Sequence, residues 1–114
     1  MNYFLVALGG FIGSTFRYYI SLKMNKRIIG TWIVNLTGAI FLAIVVLFYD
    51  QQLISHLLWL FLGVGFCGAY TTFSTFGNET LTLILEKRYQ AAFLYIISSF
   101  SVSLFFVSIV LLFI

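Results

Sequence analysis

Long stretches of apolar residues, almost free of charge, constrain this chain more than any other feature of its sequence. About 20 predominantly apolar residues in a helix are enough to cross the hydrocarbon core of a bilayer. Four windows meet that length and leave no room for a soluble domain: residues 3–22, 28–49, 53–76 with a continuation toward 86, and 91–114. We therefore predict one all-α integral membrane domain over residues 1–114, with four transmembrane helices.

The composition argues against a soluble enzyme. Hydrophobic residues make up 62% of the chain and charged residues 8%, whereas soluble domains average about 25% charged. A short soluble chain could not hide so much apolar surface, because small domains bury only about 60% of what they expose when unfolded. The sequence has no paired carboxylates, Cys/His constellation or phosphate loop, so we predict no enzyme. A net charge of +3 is too small and scattered for a nucleic-acid partner.

Basic residues predict the orientation of the bundle. With four spans, the first and third connectors share one side of the membrane. That side holds five of the six basic residues, which are Lys23, Lys26, Arg27, Lys87 and Arg88. Cytoplasmic loops are enriched in Lys and Arg, so we predict these connectors in the cytoplasm and both termini outside. Arg17, near the same end of the first span, is either an anion-attracting or structural vestibule residue or a simple interfacial anchor.

The third span contains an unusual mixture of glycine, β-branched and hydroxyl residues, GVGFCGAYTTFSTF at positions 63–76. Such residues weaken a helix, and non-helical backbone at bilayer depth requires surrounding protein or a cavity. A break at Gly68–Thr71 would free carbonyl oxygens that need a cation or a donor. Phe73 and Phe76 lie three residues apart among hydroxyls, and the positive edges of their rings could attract an anion. The plainer alternatives are that the hydroxyls bond to their own helix and that the phenylalanines face lipid or the core.

The fourth span carries a stripe of hydroxyl groups. Tyr95, Ser99 and Ser103 follow at intervals of four residues, which keeps them close to one helical face. Asn35 in the second span adds an amide with two donors. Each group singly fits ordinary helix–helix hydrogen bonding, but together they indicate a donor-lined path, which favours an anion. Glycines such as Gly9 and Gly13 fit close packing either within one subunit or between subunits.

The same residues carry a resemblance to a known family. Over essentially its whole length the sequence resembles the Fluc (CrcB) fluoride channels. Three segments carry the likeness: GGFIGSTFRY at residues 9–18, GTWIVNLTG at 30–38 and GFCGAYTTFSTF at 65–76. The last segment is the most specific of the three.

The resemblance implies a function and a set of site residues. Such channels are dimers of oppositely oriented subunits in the cell membrane, and they pass fluoride passively out of the cytoplasm through two antiparallel pores, which relieves fluoride toxicity. It implies a central, structural sodium ion that is not transported, held by the backbone carbonyls of Gly68 and Thr71. Ala69 departs from a usual glycine beside that position. The implied pore lining is Asn35, Phe73, Thr75, Phe76, Tyr95, Ser99 and Ser103, with Arg17 in the vestibule.

Two alternatives qualify this expectation. A homodimer of opposed subunits requires the chain to insert in both directions. This requirement conflicts with five basic residues in the connectors on one side of the membrane and none on the other. We therefore hypothesise a partner of homologous sequence and opposite charge bias. The rival function is a proton-coupled small multidrug-type exporter, also built from four helices. That chemistry needs a carboxylate at bilayer depth, whereas Asp50, Glu79 and Glu86 are expected near the ends of spans.

Overall fold

The computed structural model describes residues 1–24 and 27–113, and this part of the chain is helical apart from short connectors. Lys26 of the first connector and Ile114 at the predicted end of the fourth span lie outside the described residues. The elements are α1 (Asn2–Lys23), α2 (Arg27–Asp50), α3 (His56–Trp59), a π-helical segment (Leu60–Cys67), α4 (Gly68–Tyr70), α5 (Ser74–Leu85) and α6 (Tyr89–Leu111).

Several of these helices have the properties of membrane spans. Among the described residues, three stretches are long and apolar enough to cross a bilayer, Ile28–Asp50, His56–Leu85 and Tyr89–Leu111. Helix α1 has 22 residues, which is also a spanning length, but Arg17 and its polar neighbours make it less apolar. The chain is therefore a multi-pass membrane protein. The first span, over α1, and the side of each terminus stay predictions.

Helix α1 packs against the π-helical segment through glycines. A Cβ added to Gly9 would overlap the carbonyl oxygen of Phe61, and one added to Gly13 would overlap that of Phe66. From the other side, a Cβ on Gly65 would lie 2.6 Å from the Val6 carbonyl oxygen. Backbones this close admit no side chain between them. Packing within one subunit therefore accounts for these glycines.

The third span begins later than the sequence suggested. The Leu58 amide donates to the Ser55 hydroxyl at 3.1 Å, so Ser55 caps the helix that begins at His56. Serine is among the preferred residues for this position because its oxygen satisfies an amide with no partner inside the helix. Residues 53–55 therefore belong to the connector between the second and third spans.

The third span is also interrupted, at residues 71–73. Thr71 has φ −82° and ψ 158°, which is an extended conformation, and helix resumes at Ser74. Gly68 remains helical, with φ −60° and ψ −37°. The non-helical residues thus follow the predicted segment Gly68–Thr71 and overlap it only at Thr71.

Helix α6 packs against α2 and α5 around a small core. Phe76, Leu83, Ala92 and Tyr95 form this cluster, and Ile28, Trp32, Ala91 and Ile96 pack against it. Large apolar side chains are otherwise widely exposed, including Phe93 and Leu104 on α6. Such a surface suits lipid or another subunit rather than water.

Candidate functional site around the helix interruption

The side chain of Asn35 holds the interruption of the third span in place. Its Nδ2 donates to the Thr72 carbonyl oxygen at 2.9 Å, and the Thr72 amide donates to Asn35 Oδ1 at 2.8 Å. One carboxamide thereby satisfies both polar groups of a residue that has left the helix. This matters at membrane depth, because an unsatisfied backbone group in hydrocarbon costs several kcal/mol. Asn35 is the reason that helix can stop here.

The same contacts divert donors away from two carbonyls. In a regular helix the Thr72 amide would donate to the Gly68 carbonyl, and the Thr75 amide would donate to that of Thr71. Here the Thr72 amide donates to Asn35, and the Thr75 amide donates to the Thr72 hydroxyl at 3.3 Å. The carbonyls of Gly68 and Thr71 therefore lack their usual helical donors.

These two carbonyls have the chemistry of a hard-cation site. Hard cations in proteins take oxygen ligands, backbone carbonyls among them. No group of three or more His, Cys, Asp or Glu side chains that could hold a metal occurs in the described ranges 1–24 and 27–113. Gly68 has open space on its Cβ side, with nothing within 4 Å. The donor set thus fits sodium, which accepts neutral oxygens, better than a transition metal.

A cavity of about 330 Å³ lies between α2, the interruption and α6. Of the seven predicted pore residues, five line it, namely Asn35, Phe73, Phe76, Ser99 and Ser103. Helix α2 brings the amide, residues 71–76 bring the rings, and one face of α6 brings the two serines. Tertiary packing therefore gathers polar groups that are up to 68 positions apart in the sequence.

Ser99 is the most informative residue of this cavity. Its hydroxyl oxygen is buried and has no hydrogen-bond partner within the described part of the chain. Buried polar atoms are almost always hydrogen-bonded, and leaving one unpaired costs about 1–3 kcal/mol. An unpaired donor that lines a cavity is suited to a ligand that accepts hydrogen bonds.

The two phenylalanines of the interruption have different environments. Phe76 is 8% exposed and packs against Tyr95, with ring centroids 4.9 Å apart, and edge-on against Phe100. Phe73 is 77% exposed, although its ring centroid lies only 6.3 Å from that of Phe76. Phe76 is therefore fixed by the subunit itself, whereas the ring of Phe73 projects out of it.

Thr75 and Arg17 lie in a second, smaller cavity of about 170 Å³. Ser21, Thr31 and Thr72 are also in its lining, so Arg17 shares this cavity with several hydroxyl-bearing residues. Thr72 borders both cavities. Arg17 thus lines a recess next to the larger cavity, and its role as a vestibule residue or an interfacial anchor stays a prediction.

Tyr95 lines neither cavity, because its hydroxyl is directed elsewhere. It donates to Glu79 Oε2 at 3.1 Å, and the Thr31 hydroxyl donates to Glu79 Oε1 at 2.8 Å. Glu79 lies near the middle of α5, six residues before the end of the span at Leu85. Sequence reasoning named this carboxylate but missed its bonds to Tyr95 and Thr31. Its spacing offered a signal, because Phe76, Glu79 and Leu83 fall on one helical face.

Comparison with known proteins assigns the family. The family model described as "CrcB-like protein, Camphor Resistance (CrcB)" matches residues 4–111, nearly the whole chain. The chain belongs to the CrcB-like family. Proteins named "Fluoride-specific ion channel FluC" from Shewanella sp. (strain W3-18-1) and Shewanella putrefaciens (strain CN-32) are each 42% identical to it over 111 residues. A third, from Shewanella sp. (strain ANA-3), is 41% identical. Each alignment covers 93% of this chain and 90% of the relative.

The family assignment confirms the resemblance found in the sequence, and the relatives are named as channels rather than enzymes. In this CrcB-like subunit, Asn35, Phe73, Phe76, Ser99 and Ser103 come together around one cavity. Thr75 and Arg17 come together in the neighbouring cavity. Tyr95 is apart from both and bonded to Glu79. The role of each residue in transport stays a prediction.

Proposed function

We propose that this CrcB-like chain is a subunit of a fluoride-specific ion channel, through which fluoride leaves the cytoplasm passively and fluoride toxicity is relieved. One observation carries the proposal. The Ser99 hydroxyl is buried without a partner in the described residues, and Ser99 lines a cavity together with the amide residue Asn35 and three phenylalanines. The names of the relatives point to the same ion.

The proposed mechanism replaces the water around fluoride with weak donors. Fluoride is small and strongly hydrated, so entering an apolar membrane requires other hydrogen-bond donors along the path. Ser99 and Ser103 offer hydroxyls, and Asn35 retains one amide hydrogen beyond the one given to Thr72. Phe73 and Phe76 offer positive ring edges. Among the described residues that line this cavity none carries a fixed positive charge, which suits conduction, because a site must bind weakly enough to release the ion.

Arg17 acts before the ion reaches the donors. Its cavity borders the larger one at Thr72, and a cation in a recess raises the local concentration of anions. The ion would then pass from a charged vestibule to a neutral path. Tyr95 joins that path only when its hydroxyl leaves Glu79.

A second subunit in antiparallel orientation completes the proposed channel, giving two pores. Four helices enclose little by themselves, and the ring of Phe73 is 77% exposed beside the cavity. A partner subunit would cover that ring and close the open side. Given the charge bias of the connectors, the proposed partner is a homologue of opposite bias rather than a second copy. The assembly sits in the cell membrane with both termini of this chain outside.

A sodium ion is the proposed structural cofactor at the centre of the assembly. The carbonyls of Gly68 and Thr71 would hold it, since both lack their usual helical donors. A bound ion would supply positive charge that satisfies these oxygens, as a structural ion that is not transported.

Fluoride efflux from lipid vesicles tests the function. Purified protein in vesicles loaded with potassium fluoride should release fluoride to an external electrode once an ionophore lets potassium leave with it, while vesicles loaded with potassium chloride should release no chloride. The chain is reconstituted alone and together with an oppositely biased homologue. Release only from the mixed vesicles supports the heteromeric form, and full release from the chain alone refutes it. No fluoride release from either preparation contradicts the channel itself.

The alternative, a proton-coupled small multidrug-type exporter, gains one supporting observation. Glu79 places a carboxylate inside the third span, bonded to Thr31 and Tyr95. An exporter would couple a proton on this group to a cationic substrate. Fluoride release that continues when the pH is equal on both sides of the membrane argues for the channel, whereas uptake of a cationic dye driven by a pH gradient argues for the exporter.

A further inference from the structure

Trp32 packs against the core cluster and also makes a hydrogen bond that involves none of the predicted pore residues. Its indole Nε1 donates to the Ser98 hydroxyl at 3.0 Å. Trp32 lies on α2 and Ser98 on α6. Among the side chains that the structure describes, this is the one hydrogen bond that joins these two helices directly. The Ser98 hydroxyl in turn donates to the Tyr95 carbonyl of its own helix, at 3.4 Å.

The position of Trp32 relates this contact to the cavity. Asn35 follows Trp32 by three residues, so the two side chains share one face of α2 in successive turns. On α6, Ser98 directly precedes Ser99, and successive residues of an α-helix point about 100° apart. A bond that fixes Ser98 toward α2 therefore fixes the direction in which Ser99 points.

The remaining contacts of α6 leave its rotation less constrained. Its buried residues Ala92 and Tyr95 contact the cluster around Phe76 and Leu83 through apolar surfaces, and these apolar contacts are not directional as a hydrogen bond is. The Tyr95–Glu79 bond holds α6 to α5, and it reaches α2 only indirectly, through the bond of Thr31 to the same carboxylate. Asn35 and Ser99 line the same cavity from opposite helices, so their relative direction depends on how α2 and α6 are joined.

We propose that Trp32 is a positioning residue: by bonding to Ser98 it sets the rotation of α6, so that the hydroxyls of Ser99 and Ser103 face the cavity opposite Asn35. Trp32 acts through Ser98 and does not touch the ion. The proposal rests on the proposed function, because it assigns these hydroxyls to the fluoride path.

Vesicle efflux at low protein density separates positioning from assembly. When most vesicles hold at most one channel, the fraction of fluoride released counts assembled channels, and the rate constant per active vesicle reports conduction. We expect Trp32→Phe and Ser98→Ala each to lower the rate constant about threefold or more. The free energy of one interhelical hydrogen bond corresponds to a factor of about this size. The released fraction should stay unchanged. The double variant should resemble the single variants, because the same bond is broken only once.

Matched variants provide the controls. Ser98→Thr keeps the hydroxyl and should retain the wild-type rate. Trp59→Phe removes an indole near the start of the third span, where the ring stacks on Tyr49, and Ser101→Ala removes an exposed hydroxyl of α6. Both should conduct as wild type does.

The results of these efflux measurements separate the positioning role of Trp32 from the proposed channel function. A smaller released fraction at an unchanged rate constant would make Trp32 a structural residue only and overturn the proposal. A wild-type rate constant in both Trp32→Phe and Ser98→Ala would overturn it as well. Absence of fluoride release from the wild-type protein, alone or with its homologue, would instead refute the proposed function.

Discussion

The side chain of Asn35 and the backbone of Thr72 exchange two hydrogen bonds between α2 and the third span, at 2.9 Å and 2.8 Å. The pair does two things at once. It satisfies the backbone where the helix stops, and it withdraws the Thr72 amide from the Gly68 carbonyl. A side chain on one helix thus determines where another helix ends and which of its oxygens are left for a cation.

Asn35→Asp should lower fluoride efflux about tenfold or more. The aspartate can still accept from the Thr72 amide, but it presents an oxygen to the Thr72 carbonyl, which loses its donor. A buried polar group left unsatisfied costs about 1–3 kcal/mol, and the added negative charge repels an anion. Efflux from vesicles measures the effect. Asn78→Asp, at an exposed amide of α5, is the matched control, and equal efflux in the two variants would contradict the assignment.

The two phenylalanines should respond differently to substitution. Phe73→Ile should depress efflux without changing the free energy of unfolding in detergent, because the ring is 77% exposed. Phe76→Ala should lower that free energy by about 3–5 kcal/mol, as for other buried phenylalanines. Phe93→Ile, at another exposed ring, serves as the control for efflux. Normal efflux in Phe73→Ile would remove this ring from the pore.

Ser99→Ala should change stability and transport in opposite directions. Removing a buried hydroxyl that has no partner should leave the free energy of unfolding unchanged or raise it by about 1 kcal/mol. Efflux should nevertheless fall, because the path loses a donor. Ser101→Ala, at an exposed position on the same helix, should alter neither. A marked loss of stability in Ser99→Ala would mean that the hydroxyl has a structural partner.

The effect of a glycine substitution on stability should depend on the space around that glycine. Gly13→Ala should destabilise the protein by about 1–3 kcal/mol, because its methyl group would overlap the Phe66 carbonyl. Gly77→Ala should be neutral or stabilising by up to about 1 kcal/mol, since nothing lies within 4 Å and alanine favours a helix. Thermal unfolding in detergent compares the two. A similar loss of stability in both would argue against the tight contact of α1 with the π-helical segment.

Replacing sodium with N-methylglucamine on both sides of the membrane should weaken the assembly and lower efflux. The carbonyls of Gly68 and Thr71 would then lack both a helical donor and a cation. Size-exclusion chromatography in detergent measures assembly, and restoring sodium should restore it. Replacement with potassium shows whether the site selects by size. Full assembly and efflux without sodium would argue against a structural ion.

Much of the fold could be predicted from local composition. Apolar stretches of spanning length predict helices close to α2 and α6, because a bilayer admits few other backbone conformations. The ends were less predictable: Ser55 caps the third span and places its start at His56. The interruption was expected from the glycines and hydroxyls near Gly68, yet it occurs at residues 71–73. Its position depends on Asn35, 36 residues before Thr71, and no local propensity reports such a contact.

The candidate site, like the fold, could be predicted only in part from the sequence. The sequence alone determined that this chain belongs in a membrane and that its polar groups there are mostly uncharged donors, because hydropathy and residue type are local properties. Only the tertiary structure decided which donors are free. Packing commits the Tyr95 hydroxyl to Glu79 and one amide hydrogen of Asn35 to Thr72, while it leaves the Ser99 hydroxyl buried and unpaired in the described residues. Whether a donor can bind an ion depends on its neighbours in space, which are set by how the helices pack.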